Sequence, residues 1–177
     1  MILTERAVPD LGVVPYVRSP RITPELVGAL VASCPNVVAV KHAVPDPVAF
    51  ATMVRTVGSD QVVWVCGLAE MWAPFFALVG AAGFTSGLVS VDPQRSMRLF
   101  AKLQAGDYRS AMAEWEEVRE FEAMRAKDSS AMNVTVVKEA LAQSGRSGRA
   151  VRPPLSLLAE REQEQMRSIT SAWAVDE

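Results

Sequence analysis

The chain has 177 residues, of which 50% are hydrophobic and 21% are charged, and its formal net charge is −2. This composition is typical of a folded globular domain and excludes a disordered chain. Acidic and basic residues are interspersed, so no basic patch predicts binding to nucleic acid or to an anionic membrane. No apolar run approaches the roughly 18 residues of a membrane span, and we expect a soluble, cytoplasmic protein.

Cysteine and histidine are scarce, which limits the chemistry available to the chain. Cys34 and Cys66 both stand beside apolar runs, so we expect buried, reduced thiols rather than a disulfide or a metal site. His42 is the only histidine, which excludes a zinc centre built from several histidines. The sequence also contains no G-x-S-x-G, G-x-x-x-x-G-K-[ST] or G-x-G-x-x-G segment. We therefore expect neither a metal nor an organic cofactor.

Short apolar runs alternate with helical patterns through the first half of the chain. Thr23-Pro24 and Asp46-Pro47 each place a helix-capping residue before a proline, which is favoured in the first helical turn. Strands that alternate with helices of about ten residues indicate βαβ units and a parallel sheet. The predicted strands are residues 12–16, 37–41, 61–66 and 83–86, and the predicted helices between them are residues 23–33, 47–57 and 71–79.

The rest of the chain is predicted to be helical. The predicted segments are a helix from Asp92-Pro93 through Phe100, helices over residues 107–126, 134–143 and 158–173, and a loop over residues 145–154. We assign residues 1–103 to an α/β domain and residues 104–177 to a carboxyl-terminal helical region. Four parallel strands form either a small open sheet or half of a (β/α)₈ barrel, whose full length is typically ~250 residues. The length of the chain leaves both alternatives open.

Polar residues stand where the predicted strands end. The first strand ends on Tyr16 and the second on Lys41; Gly67 closes the third, with Glu70 shortly beyond it, and Ser86 closes the fourth. In parallel α/β folds the active site lies at the carboxyl ends of the strands. A phenol, an amine, a carboxylate and a hydroxyl are therefore expected to lie together at the carboxyl end of the sheet.

Lys41 ends the apolar run Val37–Val40. A charged amine is disfavoured beside apolar side chains, and a neutral amine attacks a carbonyl to form a Schiff base, with Tyr16 as a proton relay. On pattern alone the more frequent alternative is that Lys41 extends into water and that Tyr16 lies at the edge of the core. Glu70 likewise suits a helix amino terminus without any substrate, and Ser86 suits a tight turn.

These strand ends resemble those of a known family. "VPYVRSP" resembles the segment of the dihydrodipicolinate synthase and N-acetylneuraminate lyase family that carries the catalytic tyrosine, with Tyr16 in that place. "VVAVKH" resembles the strand whose lysine forms the imine, with Lys41 as that lysine. Three later segments resemble, in order, the next strand with its substrate loop, the last barrel strand and the carboxyl-terminal helices: "VWVCGLAE", "GAAGFTSGLVSVDP" and "NVTVVKEALAQSG…VRPPL".

The resemblance implies the carboxyl-terminal half of a (β/α)₈ barrel followed by a helical extension. It implies a Schiff-base lyase or dehydratase acting on a 2-keto acid such as pyruvate, or on a keto-deoxy sugar acid, as a homo-oligomer, either dimer or tetramer. Lys41 would form the imine and Tyr16 would relay protons, while Gly67, Glu70 and Ser86 would contact substrate. No cofactor is implied.

Finer features of the resemblance concern the substrate. The later segments look most like the branch that contains 5-dehydro-4-deoxyglucarate dehydratase, and Arg21 stands where some members pair an arginine with a substrate carboxylate. Val17 replaces the usual asparagine of the family and His42 the usual acidic residue. An imidazole beside the imine lysine would tune the pKa of that lysine. Ala69 replaces an aspartate of sialic acid lyases, which argues against a sialic acid substrate.

The family also has roughly four βα units ahead of the tyrosine strand. Here "LTERAVPDLG" resembles the end of the fourth helix, and no segment of the sequence resembles the units before it. We expect a truncated form of a complete enzyme, with the pairing of two half-barrels as a less favoured alternative. The alternative function is a catalytically inactive fragment with a structural or oligomerisation role. An open half-barrel exposes strand edges that invite pairing with another chain.

Overall fold

The computed structural model describes residues 10–173, which contain four parallel strands and seven α-helices. Contacts divide the chain after Thr85 into two units, and all four strands lie in the first. In chain order the elements are β1 (Tyr16–Val17), α1 (Pro24–Ser33), β2 (Ala39–His42), α2 (Pro47–Val57), β3 (Val63–Cys66), α3 (Ala69–Ala77), β4 (Gly83–Phe84), a 3₁₀ turn (Leu88–Ser90), α4 (Pro93–Gln104), α5 (Tyr108–Ser130), α6 (Asn133–Gln143) and α7 (Glu160–Trp173).

The sheet has the strand order β1-β2-β3-β4, and every neighbouring pair is parallel, as the alternating pattern predicts. Tyr16 pairs with Lys41, Lys41 with Val65, and Val65 with Gly83. Side chains alternate between the two faces of a strand, so these register partners share one face. We call this set of four residues the Tyr16–Lys41 row.

The opposite face of the sheet forms the core of the first unit. Val40 and Trp64 are buried there, and Phe50 of α2 and Phe76 of α3 pack with them in one cluster. The rings of Phe50 and Phe76 stack with centroids 4.5 Å apart, and Trp64 meets Phe50 edge-on at 5.7 Å. Within the first unit, helices α2 and α3 therefore cover this face of the sheet.

The helix starts of the first unit follow the capping signals in the sequence. The Thr23 hydroxyl accepts a hydrogen bond from the backbone N–H of Leu26 at 3.3 Å, and the Asp46 carboxylate accepts one from Ala49 at 2.9 Å. The following proline is the first residue of each helix. Such caps satisfy amide groups that have no partner within the helix.

Strand β1 is shorter than the predicted strand at residues 12–16. Val13 pairs with Val37 as an isolated bridge, and regular pairing resumes only at Tyr16. Pro15 lies between them and has no N–H to donate, although its carbonyl accepts from Lys41 N at 2.9 Å. The proline therefore interrupts the ladder without moving the chain away from β2.

The second unit is helical, with a core that includes Leu88, Phe121 and Met166. The regular part of α5 ends where predicted, because Lys127 and the two residues after it leave the helical region. The division after Thr85 precedes the predicted boundary at residue 103, since α4 packs against α5; the assignment of residues 1–103 to one domain stays a prediction. Within residues 10–173 no helix combines the length and apolarity needed to cross a membrane.

Candidate active site

The structure brings Tyr16 and Lys41 together on the open face of the sheet. The Lys41 Nζ atom lies 4.4 Å from the centroid of the Tyr16 ring. A cation at this distance is attracted by the negative face of the ring. Tyr16 is 45% exposed and Lys41 is half-buried, so a small molecule in solvent can reach both groups.

Arg18 is a third member of this group that the sequence analysis did not select. Its Cζ atom lies 5.4 Å from the centroid of the Tyr16 ring. Arg18 lies just beyond the end of β1 and beyond the predicted strand at residues 12–16, so the strand pattern did not predict its approach to Tyr16. Two cationic groups therefore lie close to the ring of one phenol.

Lys41 differs from the other three lysines of the chain in its surroundings. The others are engaged by an oxygen, and the hydrogen bond to Glu162 raises the pKa of Lys127, which keeps that amine charged. The partners are Glu114 for Lys102, Glu162 for Lys127 and the backbone carbonyl of Ala150 for Lys138. Lys41 forms no ion pair with a carboxylate anywhere in residues 10–173, which distinguishes its amine from the other three.

Gly67, just after β3, leaves space for the Lys41 side chain. A Cβ atom on Gly67 would lie 3.1 Å from Lys41 Cε and 2.9 Å from the Cβ of Ala43. The Gly67 N–H donates to the carbonyl of His42 at 2.7 Å, which holds the loop against β2. A residue without a side chain is therefore needed beside the lysine.

His42 lies on the core face and not beside the Lys41 amine. It is only 2% exposed, and its ring lies 5.1 Å from Phe50 and 5.8 Å from Phe76 between centroids. Burial lowers the pKa of His42, and the charge of Asp46 opposes this effect. The hypothesis that the imidazole tunes the lysine thus loses its geometric basis, and His42 is a core residue.

Cys66 and Glu70 are buried at the end of β3 and the start of α3. Burial raises the pKa of the Cys66 thiol to about 12, and the charge of Glu70 acts in the same direction. Both cysteines are buried and reduced, as the sequence predicts, and Cys66 is no nucleophile at neutral pH. Glu70 is fully buried, and its contact with substrate stays a prediction.

The backbone is strained directly before Glu70. Ala69 has a φ of +59°, which places it in the left-handed region that non-glycine residues seldom adopt. Such conformations cost free energy and cluster at functional sites. No glycine, asparagine or aspartate marks this position, so the sequence carried no signal for it.

Arg21 and Ser86, the other predicted substrate contacts, lie in the first and the second unit respectively. Arg21 is exposed before α1, and its side chain forms no hydrogen bond or ion pair within residues 10–173. Ser86 belongs to the second unit, where its hydroxyl accepts from the N–H of Val89 at 2.8 Å and lies 3.1 Å from the Ser96 hydroxyl. Their roles in substrate binding stay predictions.

Curated proteins resemble this chain along most of its length. The 4-hydroxy-tetrahydrodipicolinate synthase of Methanoculleus marisnigri is 31% identical over 148 residues, which cover 84% of this chain and 49% of that protein. A probable 5-dehydro-4-deoxyglucarate dehydratase of Ralstonia nicotianae is 27% identical over 168 residues, or 93% of this chain and 53% of its own length. The chain thus spans about half the length of the curated relatives it matches.

A solved structure extends this similarity to the fold. The crystal structure of dihydrodipicolinate synthase from Oceanobacillus iheyensis matches with a TM-score of 0.88 at 34% identity, covering 94% of this chain and 55% of that one. Four parallel strands that match about half of an eight-stranded barrel are a half-barrel, as the sequence predicts. The profile of the dihydrodipicolinate synthetase family matches residues 8–173. The chain therefore belongs to the dihydrodipicolinate synthetase family.

Proposed function

We propose that Lys41 is the Schiff-base lysine of a lyase or dehydratase that acts on a 2-keto acid or a keto-deoxy sugar acid, with Tyr16 as its proton relay. The observation that carries the proposal is the 4.4 Å approach of the Lys41 amine to the Tyr16 ring on a face open to solvent. Family membership supports the reaction class, because the relatives include a synthase and a dehydratase.

The chemistry assigns one step to each group. The neutral Lys41 amine attacks the ketone carbon, and the resulting carbinolamine loses its hydroxyl as water to give an imine. The protonated imine then accepts the electron pair released when a bond to the adjacent carbon breaks. Tyr16 gives a proton to the departing hydroxyl and takes one back from the substrate in the later step, which general acid–base catalysis requires.

The other predicted residues have supporting roles in this proposal. Arg21 would pair with a substrate carboxylate through two parallel hydrogen bonds. Gly67 would give the substrate and Lys41 room, while Glu70 and Ser86 would contact substrate hydroxyls. A cytoplasmic homo-oligomer, dimer or tetramer, follows from the family resemblance and is part of the proposal.

Reductive trapping tests the nucleophile. The chain is incubated with pyruvate or a 2-keto-3-deoxy sugar acid, reduced with borohydride, and examined by intact mass and peptide mapping. We expect one reduced adduct per chain on Lys41, absent from Lys41→Ala and retained in Lys138→Ala, which removes a lysine of α6 that is half-buried, as Lys41 is. An adduct that persists in Lys41→Ala would refute the assignment.

Exposure of the same sheet face favours a second candidate function. Val63 of β3 lies two residues before Val65 and so shares the face of the Tyr16–Lys41 row, and it is 51% exposed. Apolar side chains this exposed suit a surface that another chain covers. A catalytically inactive half-barrel with a structural or oligomerisation role is therefore the alternative, and it is favoured if the folded wild-type chain traps neither substrate.

A further inference from the structure

The second unit contains a basic cavity that the proposed reaction does not use. Its volume is about 800 Å³, and its walls come from the start of α4, the end of α6 with the loop after it, and α7. Arg146, Arg149 and Arg167 line it, together with Trp173 of α7 and Asp92. Small-molecule sites in proteins have volumes of about 300–1,000 Å³. The cavity is thus large enough for a metabolite.

Arg146 is the arginine of this cavity whose charge is not balanced by a carboxylate among the described residues. Its guanidinium donates to the backbone carbonyl of Val91 and, at 3.0 Å, to the hydroxyl of Ser144. Both acceptors are neutral, and no carboxylate pairs with Arg146 in the part of the chain that the structure describes. Asp92, the acidic residue of the lining, is held by Arg95 at 3.1 Å. Asp92 therefore does not neutralise Arg146.

The two other arginines keep donors for a ligand although each has a carboxylate partner. Arg149 contacts the buried Glu139 through Nε at 3.1 Å and Nη2 at 3.2 Å. Arg167 pairs with Glu164 in an exposed contact of one helical turn. A guanidinium carries five N–H donors, and exposed ion pairs are worth little and exchange readily. Three guanidinium groups therefore border one space with donor capacity left.

We propose that this cavity binds a small oxyanion with two or more negative charges, a phosphate or a dicarboxylate, anchored by Arg146. Arginine recognises both groups through paired N–H···O bonds, and charge-assisted bonds are about twice as strong as neutral ones. A monovalent ion such as chloride supplies the charge but not the paired oxygen acceptors, so it is bound less well. The inference concerns residues of the second unit and does not depend on the role of Lys41.

Calorimetric titration of the full chain tests the proposal, with inorganic phosphate and succinate as probes. Ionic strength is held constant with chloride, because salt screens exposed charges. The variant is Arg146→Gln, and the matched control is Arg152→Gln, an exposed arginine six positions along the same loop that does not line the cavity. We expect the affinity to fall by about tenfold or more in Arg146→Gln and to be unchanged in Arg152→Gln.

The outcomes separate clearly. Binding of phosphate alone identifies a phosphate-bearing ligand, and binding of succinate alone identifies a dicarboxylate. Either result supports the site when Arg146→Gln weakens the binding of that anion. Arg146→Lys keeps the charge and retains part of the affinity, which guards against a folding defect in the first variant. No binding of either anion, equal affinity in Arg146→Gln, or an equal loss in Arg152→Gln would overturn the proposal.

Discussion

A single methyl group added at Gly67 should disturb the Lys41 site. The new Cβ would lie 2.9 Å from Ala43 Cβ and 3.1 Å from Lys41 Cε, whereas ordinary Cβ contacts begin at 3.4 Å. The shortfall is 0.5 Å at Ala43 and 0.3 Å at Lys41, and the carbonyl oxygen of His42 is as close as Lys41, at 3.1 Å. Lysine can turn away from the methyl group, but a backbone oxygen and a β-carbon move only with the chain.

Overpacking of this kind typically costs about 1–3 kcal/mol of stability. We expect Gly67→Ala to lower the free energy of unfolding by about that amount, measured by chemical denaturation. The displaced amine should also form the trapped imine at least about tenfold more slowly, since misplacing a reacting group by about 1 Å can cost a hundredfold. The rate of borohydride-trapped adduct formation with pyruvate measures this second effect.

Gly28 provides the matched control because the same substitution meets no obstacle there. A Cβ on Gly28 would lie 3.9 Å from a methyl group of Val57, an ordinary contact, inside helix α1. Gly28→Ala should raise stability by about 0.4–1 kcal/mol, because alanine restricts the unfolded chain. If Gly67→Ala matches Gly28→Ala in stability and traps pyruvate at the wild-type rate, Gly67 does not make room for the lysine.

Two further predictions concern the faces of the sheet. Tyr16→Phe keeps the ring beside Lys41 but removes the hydroxyl, so the trapping rate should fall by about a hundredfold or more while the adduct stays on Lys41; an unchanged rate would exclude Tyr16 as the relay. Burial lowers the pKa of His42 below 6.5, so the unfolded chain binds more protons than the folded one as pH falls below 6.5. The free energy of unfolding should therefore carry no penalty from His42 above pH 6.5 and should decline below it, by at most about 1.4 kcal/mol per pH unit. In denaturation curves between pH 7 and 5.5, His42→Gln should lack this decline. Equal slopes in the two proteins would contradict the burial argument.

The sequence predicted the order and type of the elements because local signals specify them. Thr23 and Asp46 fixed two helix starts to the residue, since a cap acts only on the amide groups of the next turn. The strand end was less well defined. The predicted second strand stopped at Lys41, whereas β2 continues through His42. Because β2 includes His42, strand alternation places the imidazole on the face opposite Lys41. The pairing of His42 with Cys66 of β3 keeps His42 in the strand.

The candidate site also has a part that the sequence predicts and a part that it does not. The meeting of Tyr16 and Lys41 follows from the ends of adjacent parallel strands, which the sequence pattern predicts. The burial of Glu70, the strained φ of Ala69 and the hydrogen bond from the Val89 N–H to Ser86 depend on how loops pack after the strands end. Loops have no periodicity, so residue types alone could not assign these positions.

The alternation of side chains along β2 explains how one short strand carries both a solvent-facing amine and a buried imidazole. Lys41 and His42 are neighbours in sequence, yet the first faces solvent beside Tyr16 and the second is sealed between Phe50 and Phe76. Burying the lysine would require removing a charge from water, whereas the neutral imidazole fills aromatic space at lower cost. Of the two residues, Lys41 is therefore the one beside solvent, and His42 contributes its packing against the aromatic rings of the core.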